Sequence, residues 1–327
     1  MSDLPQFSDV EDAAERLRGT IYRTPLVQSH ILNEKLGANI FFKAECLQKT
    51  GSFKFRGAYN AVSRMGEVAK EKGVLACSSG NHAQGIAEAA RLMGVNATII
   101  MPKDAPELKK QRTLRSGAKI VEYDRHSEDR EVLTKQLAEQ TGMPVVHPYE
   151  SFHVIAGQGT VGLEACEELQ TLGLVPDHVL VCAGGGGLMA GIKLAVHQYF
   201  PQAIVHPVEP EGYDDQKRSH AMSERISGNA NQPNVCDAIL TPMPGEASFE
   251  ICKGQLGEGL VVSEAEALNA VAFAFNELKL VVEPGGAVTL AALLAEKLDV
   301  ADKCIIATLS GGNIDPHILE QALSQKN

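Results

Sequence analysis

The sequence lacks several features that would mark a specialised class of protein. It has no tryptophan, no Cys-x-x-Cys pair and no apolar run long enough to span a membrane. Its seven cysteines are odd in number and scattered, which argues against a disulfide framework and against a zinc site. The first 25 residues contain no signal-peptide core, so we expect a cytoplasmic protein that does not bind membranes.

Positive charge is also scarce. The chain has 30 lysines and arginines against 41 aspartates and glutamates, which gives a net charge of −11. This imbalance argues against nucleic acid or an anionic membrane as a partner. Hydrophobic residues make up 44% and charged residues 22%, as is usual in globular proteins, and the length of 327 residues predicts two domains.

Short apolar runs alternate with helical patterns along most of the chain, which predicts an α/β fold with a mainly parallel sheet. Strands are predicted at residues 40–43, 73–77, 97–101, 178–183, 203–208 and 304–309. Ser8 with Glu11 predicts a capping box for a first helix, and Ser263 with Glu266 predicts another for a helix to about Leu278. The polar segment 210–245 is interpreted as a long irregular connection between strands of the sheet.

One lysine has an unusual setting. Lys54 lies between Phe53 and Phe55 in the sequence Ser-Phe-Lys-Phe-Arg-Gly at residues 52–57. Apolar neighbours disfavour the ammonium form and lower the pKa of a lysine. Lys54 is therefore a candidate amine nucleophile for a Schiff base with an aldehyde cofactor. The alternative is a surface lysine whose aliphatic stem covers apolar side chains.

A run of glycines lies between a predicted strand and a predicted helix. Gly184, Gly185, Gly186 and Gly187 would let consecutive backbone N–H groups bind a phosphate at the helix start. A flexible turn is the alternative interpretation. Glu209 lies near the position of the acidic residue in a dinucleotide fold, so a nicotinamide-dependent oxidoreductase remains open.

Two further loops follow predicted strands. Ser78, Ser79, Gly80, Asn81 and His82 open a helix and suit a carboxylate, which hydroxyl groups and helix N–H groups would bind. The alternative is an ordinary helix cap, with Ser79 as its serine. Ser310-Gly311-Gly312 follows the last strand, and it is a weak signal by itself.

Together these motifs resemble one enzyme family. Residues 52–57, 78–85, 155–160, 184–188 and 310–313 occur in the order found in fold-type II pyridoxal-phosphate enzymes, specifically the serine/threonine dehydratase and serine racemase group. The likeness extends from Thr24 to Asp315. It implies a two-domain α/β fold like that of the tryptophan synthase β subunit, with parallel sheets flanked by helices and the cofactor in the cleft between domains. The large pyridoxal-phosphate-binding domain would comprise residues 1–50 and 148–327, and the small domain residues 51–147.

The resemblance also implies a role for each motif residue. Lys54 would bind pyridoxal 5′-phosphate as a Schiff base and act as the proton-transferring base. Phe53 would lie beside the cofactor, Asn81 would donate to its 3′-oxygen, and Ser310 would face its pyridine nitrogen. The phosphate would bind to Gly184, Gly185, Gly186, Gly187 and the backbone of Leu188. The substrate carboxylate would bind to Ser78, Ser79, Gly80, Asn81 and His82.

The activity implied is β-elimination from L-threonine and L-serine, which gives a 2-oxo acid and ammonia. A serine racemase, in which Ser79 would be the acid/base on the opposite cofactor face, and a hydroxyaspartate dehydratase are the alternatives within this class. A nicotinamide-dependent oxidoreductase and a regulatory relative without cofactor are alternatives from other classes. We expect a small amino acid as substrate and a homo-oligomer, either a dimer or a tetramer.

A metal site is the last expectation. The segment from Glu209 to Asp215 resembles the metal site of the racemase-like group, in which Glu209, Asp215 and the carbonyl of Tyr213 would bind Mg²⁺ or Ca²⁺. A solvated acidic loop is the alternative. The chain departs from the family at Cys236-Asp237-Ala238, where relatives have Ala-Asp-Gly. Residues 216–245 match the family poorly and would shape a different substrate pocket.

Overall fold

The chain folds around two parallel β-sheets. A computed structural model describes residues 4–228 and 232–324. The strands are β1 Leu26–Val27, β2 Asn39–Ala44, β3 Val74–Cys77, β4 Ala97–Pro102, β5 Lys119–Tyr123, β6 His178–Cys182, β7 Ile204–Pro210, β8 Leu260–Val262 and β9 Cys304–Leu309. One sheet has the order β1-β2-β9-β6-β7-β8, with only β1 antiparallel, and the other has the order β3-β4-β5. The predicted α/β fold class is confirmed.

Helices cover the sheets. They are α1 Phe7–Leu17, α2 His30–Leu36, α3 Lys54–Arg64, α4 Gly66–Lys72, α5 Asn81–Met93, α6 Glu107–Arg115, α7 Arg130–Thr141, α8 Phe152–Thr171, α9 Gly187–Tyr199, α10 Asp215–Met222, α11 Glu246–Cys252, α12 Glu264–Phe273, α13 Pro284–Leu294 and α14 Pro316–Ser324. The long helix α8 packs against α1, α3 and α9, so it joins the helices of both sheets. None of the helices in the described ranges has the length and apolar character needed to cross a bilayer.

The six-stranded sheet has a hydrophobic core on each face. Successive side chains of a strand point to opposite faces. Accordingly Phe42 and Leu180 belong to the core that includes α12 and α13, whereas Phe41 and Val179 belong to the core that includes α8 and α9. A third core, around Phe55, lies between α3, α5 and the three-stranded sheet. The sheet β3-β4-β5 lies within residues 51–147, and the exact domain boundaries stay a prediction.

The first helix begins differently from the prediction. Helix α1 starts at Phe7 and is capped reciprocally by Gln6 and Asp9, so the capping box predicted for Ser8 and Glu11 is wrong. Phe7 packs edge-on against Tyr199, with ring centroids 5.9 Å apart. We attribute the earlier start to this tertiary contact, which the local sequence pattern does not contain. The second predicted box is confirmed, since Ser263 and Glu266 cap α12.

The strand ends bring the chemical motifs together. Parallel strands place their carboxyl ends at one edge of a sheet, which is where ligands bind in α/β folds. The turn 78–80 follows β3, the glycine loop follows β6, and Ser310 follows β9. The segment before Lys54 pairs with the chain after β9, through a β-bridge of Ser52 with Gly311 and a bond from Phe53 N to Ser310 O of 3.1 Å.

Candidate active site

A cavity of about 250 Å³ is lined by residues that follow strands of both sheets. Every residue predicted to bind the cofactor or the substrate lines it. These residues are Phe53, Lys54, Ser78, Ser79, Gly80, Asn81, His82, Gly184, Gly185, Gly186, Gly187, Leu188 and Ser310. Glu209, Tyr213 and Asp215 do not line it. Motifs from distant parts of the sequence therefore share one site, while the individual roles stay predictions.

Lys54 is the first residue of α3 and points into the cavity. Its Nζ atom donates to the carbonyl of Pro148 at 3.2 Å and lies 5.1 Å from the centroid of the Phe53 ring. Burial lowers the pKa of Lys54 to about 8, although the Glu283 carboxylate opposes that shift. Near neutral pH a fraction of this lysine is therefore the free amine, which is the form that attacks an aldehyde.

The glycine loop has little room for side chains. A Cβ atom on Gly185 would lie 2.3 Å from Cγ of Tyr149, and one on Gly187 would lie 3.1 Å from Cβ of the same tyrosine. Gly186 has φ +87°, which favours glycine, and it is the N-cap of α9. Helix α9 has no side-chain cap among the described residues, so its first N–H groups are available for an anion.

Three residues that the sequence analysis missed hold this loop. Gln216 Nε2 donates to the carbonyl of Gly184 at 2.6 Å, and Ser248 Oγ donates to the carbonyl of Gly185 at 2.7 Å. Tyr149 packs against the loop from the third side. The two carbonyl groups are thereby bound away from the cavity. No local sequence signal identifies these residues, because each acts through a contact with a distant segment.

The turn after β3 forms the start of α5. Gly80, rather than Ser79, is the N-cap, and no described side chain caps this helix, so the interpretation of Ser79 as a cap is wrong. His82 is buried, its Nε2 atom lies 2.9 Å from the carbonyl of Val146, and burial lowers the pKa of His82 to about 3. The histidine is therefore neutral. An anion at this turn would be bound by helix N–H groups and serine hydroxyls rather than by an imidazolium.

A chain of polar side chains leads into the cavity from the side of β9. Asn81 Nδ2 donates to Glu283 Oε1 at 2.6 Å, and Asn313 Nδ2 donates to Asn81 Oδ1 at 2.7 Å. Burial raises the pKa of Glu283 to about 7. Ser310 is buried beside this chain. Glu283 was not predicted from the sequence, although a Glu-Pro pair before an apolar run is a recognisable helix start.

The cavity wall includes the segment that departs from the family pattern. Residues 237–242 line it, and Lys109 of α6 donates to Asp237 at 2.5 Å, joining the two sides of the cleft. Arg130, at the start of α7, lines the same cavity and is paired with its neighbour Glu131 at 3.4 Å. Lys109 and Arg130 are therefore both paired with carboxylates at a cavity that also offers two helix starts.

The predicted metal ligands lie behind the glycine loop. Glu209 accepts bonds from the backbone N–H groups of Gln216 and Lys217 at 2.8 and 2.9 Å. Burial, together with the Asp215 carboxylate, raises the pKa of Glu209, and burial raises that of Asp215 to about 7. Asp215 Oδ2 is buried without a hydrogen-bond partner among the described residues, as a cation ligand would be. Residues 4–228 and 232–324 contain no group of three His, Cys, Asp or Glu side chains placed to hold a metal, so the site stays a prediction.

The cavity fits pyridoxal phosphate on three counts. An amine whose pKa is near 8 lies in it, so a covalent link to an aldehyde is possible. The glycine loop offers N–H groups at positions where a Cβ atom would collide with Tyr149. Asn81 and Ser310 provide polar groups on the two remaining sides.

Comparisons with known proteins agree with this geometry. The family described as "Pyridoxal-phosphate dependent enzyme" matches residues 17–311. The serine racemase of Schizosaccharomyces pombe is 40% identical over 99% of this chain and 100% of that protein. The L-threo-3-hydroxyaspartate ammonia-lyase of Saccharomyces cerevisiae is 41% identical over 95% of this chain and 94% of that protein. The crystal structure of maize serine racemase matches with a TM-score of 0.91 at 32% identity, covering 98% of this chain and 97% of that chain.

Proposed function

We propose, since the chain belongs to the family of pyridoxal-phosphate dependent enzymes, that it eliminates the β-hydroxyl group of L-threonine and L-serine. The products would be a 2-oxo acid and ammonia, formed after the enamine leaves the enzyme and hydrolyses. One observation carries the proposal: the Lys54 amine, the turn 78–82 and the glycine loop line the same cavity. This elimination needs a base for the α-proton, a site for the carboxylate and a proton for the departing hydroxyl group, so that water leaves; the proton that Lys54 removes is available for that step, and the glycine loop would hold the cofactor phosphate.

Pyridoxal phosphate, when bound, supplies the electron-withdrawing ring that acidifies the α-proton of an amino acid. The chain's own residues position the substrate and move the proton. The amine of Lys54 is the base, because its lowered pKa, about 8, leaves it able to accept a proton and to release it again near neutral pH. The carbonyl of Pro148, 3.2 Å away, holds the Nζ atom in the cavity.

The start of α5 would orient the substrate. Its N–H groups and the hydroxyl groups of Ser78 and Ser79 bind the α-carboxylate, and this fixes the α-proton relative to Lys54. His82 contributes no charge there, since its pKa of about 3 keeps it neutral. Ser310 would face the ring nitrogen with a hydroxyl group, which could not keep that nitrogen protonated as a carboxylate would. Prompt elimination is favoured over transamination for this reason.

A hydroxyaspartate substrate is the second candidate, and Arg130 favours it. Arg130 lines the cavity, and its Nε atom lies 3.4 Å from Glu131 Oε1 at the start of the same helix. An arginine binds a carboxylate with two parallel hydrogen bonds, so it would suit a substrate that carries a second carboxylate. The ammonia-lyase of Saccharomyces cerevisiae, at 41% identity, is named for such a compound.

One assay separates the two candidates. Release of 2-oxo acid is measured with L-threonine, L-serine and the isomers of 3-hydroxyaspartate, with Lys54→Ala as the inactive control. We expect kcat/KM to be highest for L-threonine or L-serine. We also expect Arg130→Met to lower activity on 3-hydroxyaspartate more than activity on L-threonine. A higher kcat/KM for 3-hydroxyaspartate would replace the first candidate by the second. Holoenzyme that releases no 2-oxo acid from any of these compounds would contradict both.

A further inference from the structure

We propose that Asn313 is a positioning residue that determines which atom of Asn81 faces the cofactor, and that Arg112 determines the orientation of Asn313. The inference rests on the proposed contact of Asn81 with the cofactor, and it does not depend on which amino acid is the substrate. The three side chains form a hydrogen-bonded chain from α6 into the cavity.

The amide of Asn313 has only one orientation that satisfies its partners. Its Oδ1 atom accepts from Arg112 Nη1 at 3.0 Å, and its Nδ2 atom donates to the carbonyl of Thr50 at 2.8 Å. A guanidinium group can only donate, and a carbonyl group can only accept. A rotation of the amide by 180° would therefore lose both hydrogen bonds. It would place the Nδ2 atom against the donor Arg112 and the Oδ1 atom against the carbonyl of Thr50.

The orientation of Asn313 fixes that of Asn81. The second hydrogen of Asn313 Nδ2 goes to Asn81 Oδ1 at 2.7 Å, so Asn81 must present its Nδ2 atom on the other side. One hydrogen of that group binds Glu283 Oε1 at 2.6 Å, and the other remains for the cavity that Asn81 lines. The 3′-oxygen of pyridoxal phosphate, when ionised, is an acceptor, so Asn81 must offer it a donor.

The backbone that contacts Asn313 also holds its side chain in this orientation. Thr50 has φ +61° and ψ 10°, a left-handed conformation that is unfavourable for a β-branched residue, and this conformation directs its carbonyl to Asn313. Gly51 has φ +75°, and a Cβ atom there would lie 2.8 Å from Asn313 Oδ1. The backbone of the turn at residues 49–51 is therefore strained where it contacts Asn313.

The substitution Asn313→Asp tests the inference with almost no change of shape. The hydrogen bond from Arg112 becomes a salt bridge, but the other carboxylate oxygen now faces both Asn81 Oδ1 and the carbonyl of Thr50. Asn81 must turn, and it then presents an acceptor to the cavity. We expect the dissociation constant for pyridoxal phosphate to rise on the order of tenfold or more. The pH midpoint of the visible absorption of bound cofactor should also rise, because the ionised 3′-oxygen loses a donor.

Further variants separate positioning from a merely structural effect. In an Asn81→Ala background, Asn313→Asp should cause no additional change in either measurement. Arg112→Ala should shift both in the same direction by a smaller factor, because Thr50 still holds Asn313, and Arg112→Lys should restore part of the loss. Arg115→Ala, on the exposed side of α6, is the matched control.

Two outcomes would overturn the inference. The first is an unchanged cofactor affinity and absorption titration in Asn313→Asp or, if that variant does not fold, in Arg112→Ala. The second is an effect of Asn313→Asp that is equally large in the Asn81→Ala background. If no 2-oxo acid is released in the substrate assay, the cofactor affinity and the absorption titration can still be measured. A failure of this inference can therefore be distinguished from a failure of the proposed function.

Discussion

Replacing Arg56 by methionine should strongly destabilise the protein. Arg56 is fully buried two residues after Lys54, and it donates to Glu45 through Nε and Nη2, each at 2.8 Å. It also binds Glu164 at 2.8 and 2.9 Å, and Lys43 binds Glu164 at 2.7 Å. The cluster thus holds two positive and two negative charges. Methionine fills similar space but leaves a net charge of −1 in the interior.

The expected magnitude follows from that uncompensated charge. Breaking a buried ion pair from one side costs about 3–5 kcal/mol. At about 2.1 cal/mol/K per residue, the unfolding entropy of a chain this long is about 0.7 kcal/mol/K, so Tm should fall by about 4–7 °C. Burial alone would raise the pKa of Glu164, but Arg56 and Lys43 hold it below its ordinary value.

The pH dependence follows from the same charges. In the variant a carboxylate remains charged in the interior without its arginine partner, so the loss of stability is present at neutral pH. It shrinks as the pH falls towards about 4.3, the ordinary value for glutamate.

Unfolding of the cofactor-free protein by heat or urea measures the effect. Glu45→Gln removes the carboxylate that Arg56→Met orphans, so the arginine substitution should cost less in that background. Arg91→Met is the matched control, because Arg91 pairs with Glu88 at 2.7 Å on the exposed face of α5 and should contribute no more than about 1 kcal/mol. The reasoning is refuted if Arg56→Met costs no more than Arg91→Met, or costs the same with and without Glu45.

Three other predictions concern the cavity and its surroundings. Gly185→Ala should weaken pyridoxal-phosphate binding by about tenfold in a titration of the apoprotein, because its Cβ atom would lie 2.3 Å from the Tyr149 ring; an unchanged affinity would show that the loop is not the phosphate site. Mg²⁺ should raise Tm above its value in EDTA, and the difference should grow from pH 5 to pH 8. The pKa values of Glu209 and Asp215 are raised, so both carboxyl groups must lose their protons before they can bind the cation. A Glu209→Gln, Asp215→Asn variant that still responds to Mg²⁺ would exclude this pair. Ser79→Ala should leave L-threonine dehydration largely intact but abolish any D-serine formation from L-serine, as followed by chiral chromatography; equal D-serine formation in both proteins would mean that Ser79 is not the opposite-face acid.

The sequence predicted the parts of the site that are local in the chain. A strand, a glycine-rich turn and a helix start occur together at Gly184 and at Gly80, and each combination directs backbone N–H groups to the end of a strand. The lowered pKa of Lys54 could likewise be predicted from its neighbours in the sequence, and the structure agrees with that prediction.

The missed residues act across long distances in sequence. Gln216 binds a carbonyl 32 positions earlier, and Glu283 binds an amide 202 positions earlier. No propensity or periodicity encodes such contacts, because they arise only when segments distant in the sequence pack together. The start of α1 was missed for the same reason, since the packing of Phe7 on Tyr199 overrides the local capping pattern.

The β-bridge between Ser52 and Gly311 has a consequence for movement. It fixes Ser52 and Phe53, the residues just before Lys54, to the chain after β9 of the six-stranded sheet. Asn81, in contrast, follows a strand of the three-stranded sheet. If the cleft opens by rotation of the small sheet, the bond between Asn81 and Asn313 breaks, whereas the bridge keeps the chain entering Lys54 beside Ser310. Substrate can then enter without displacing the base.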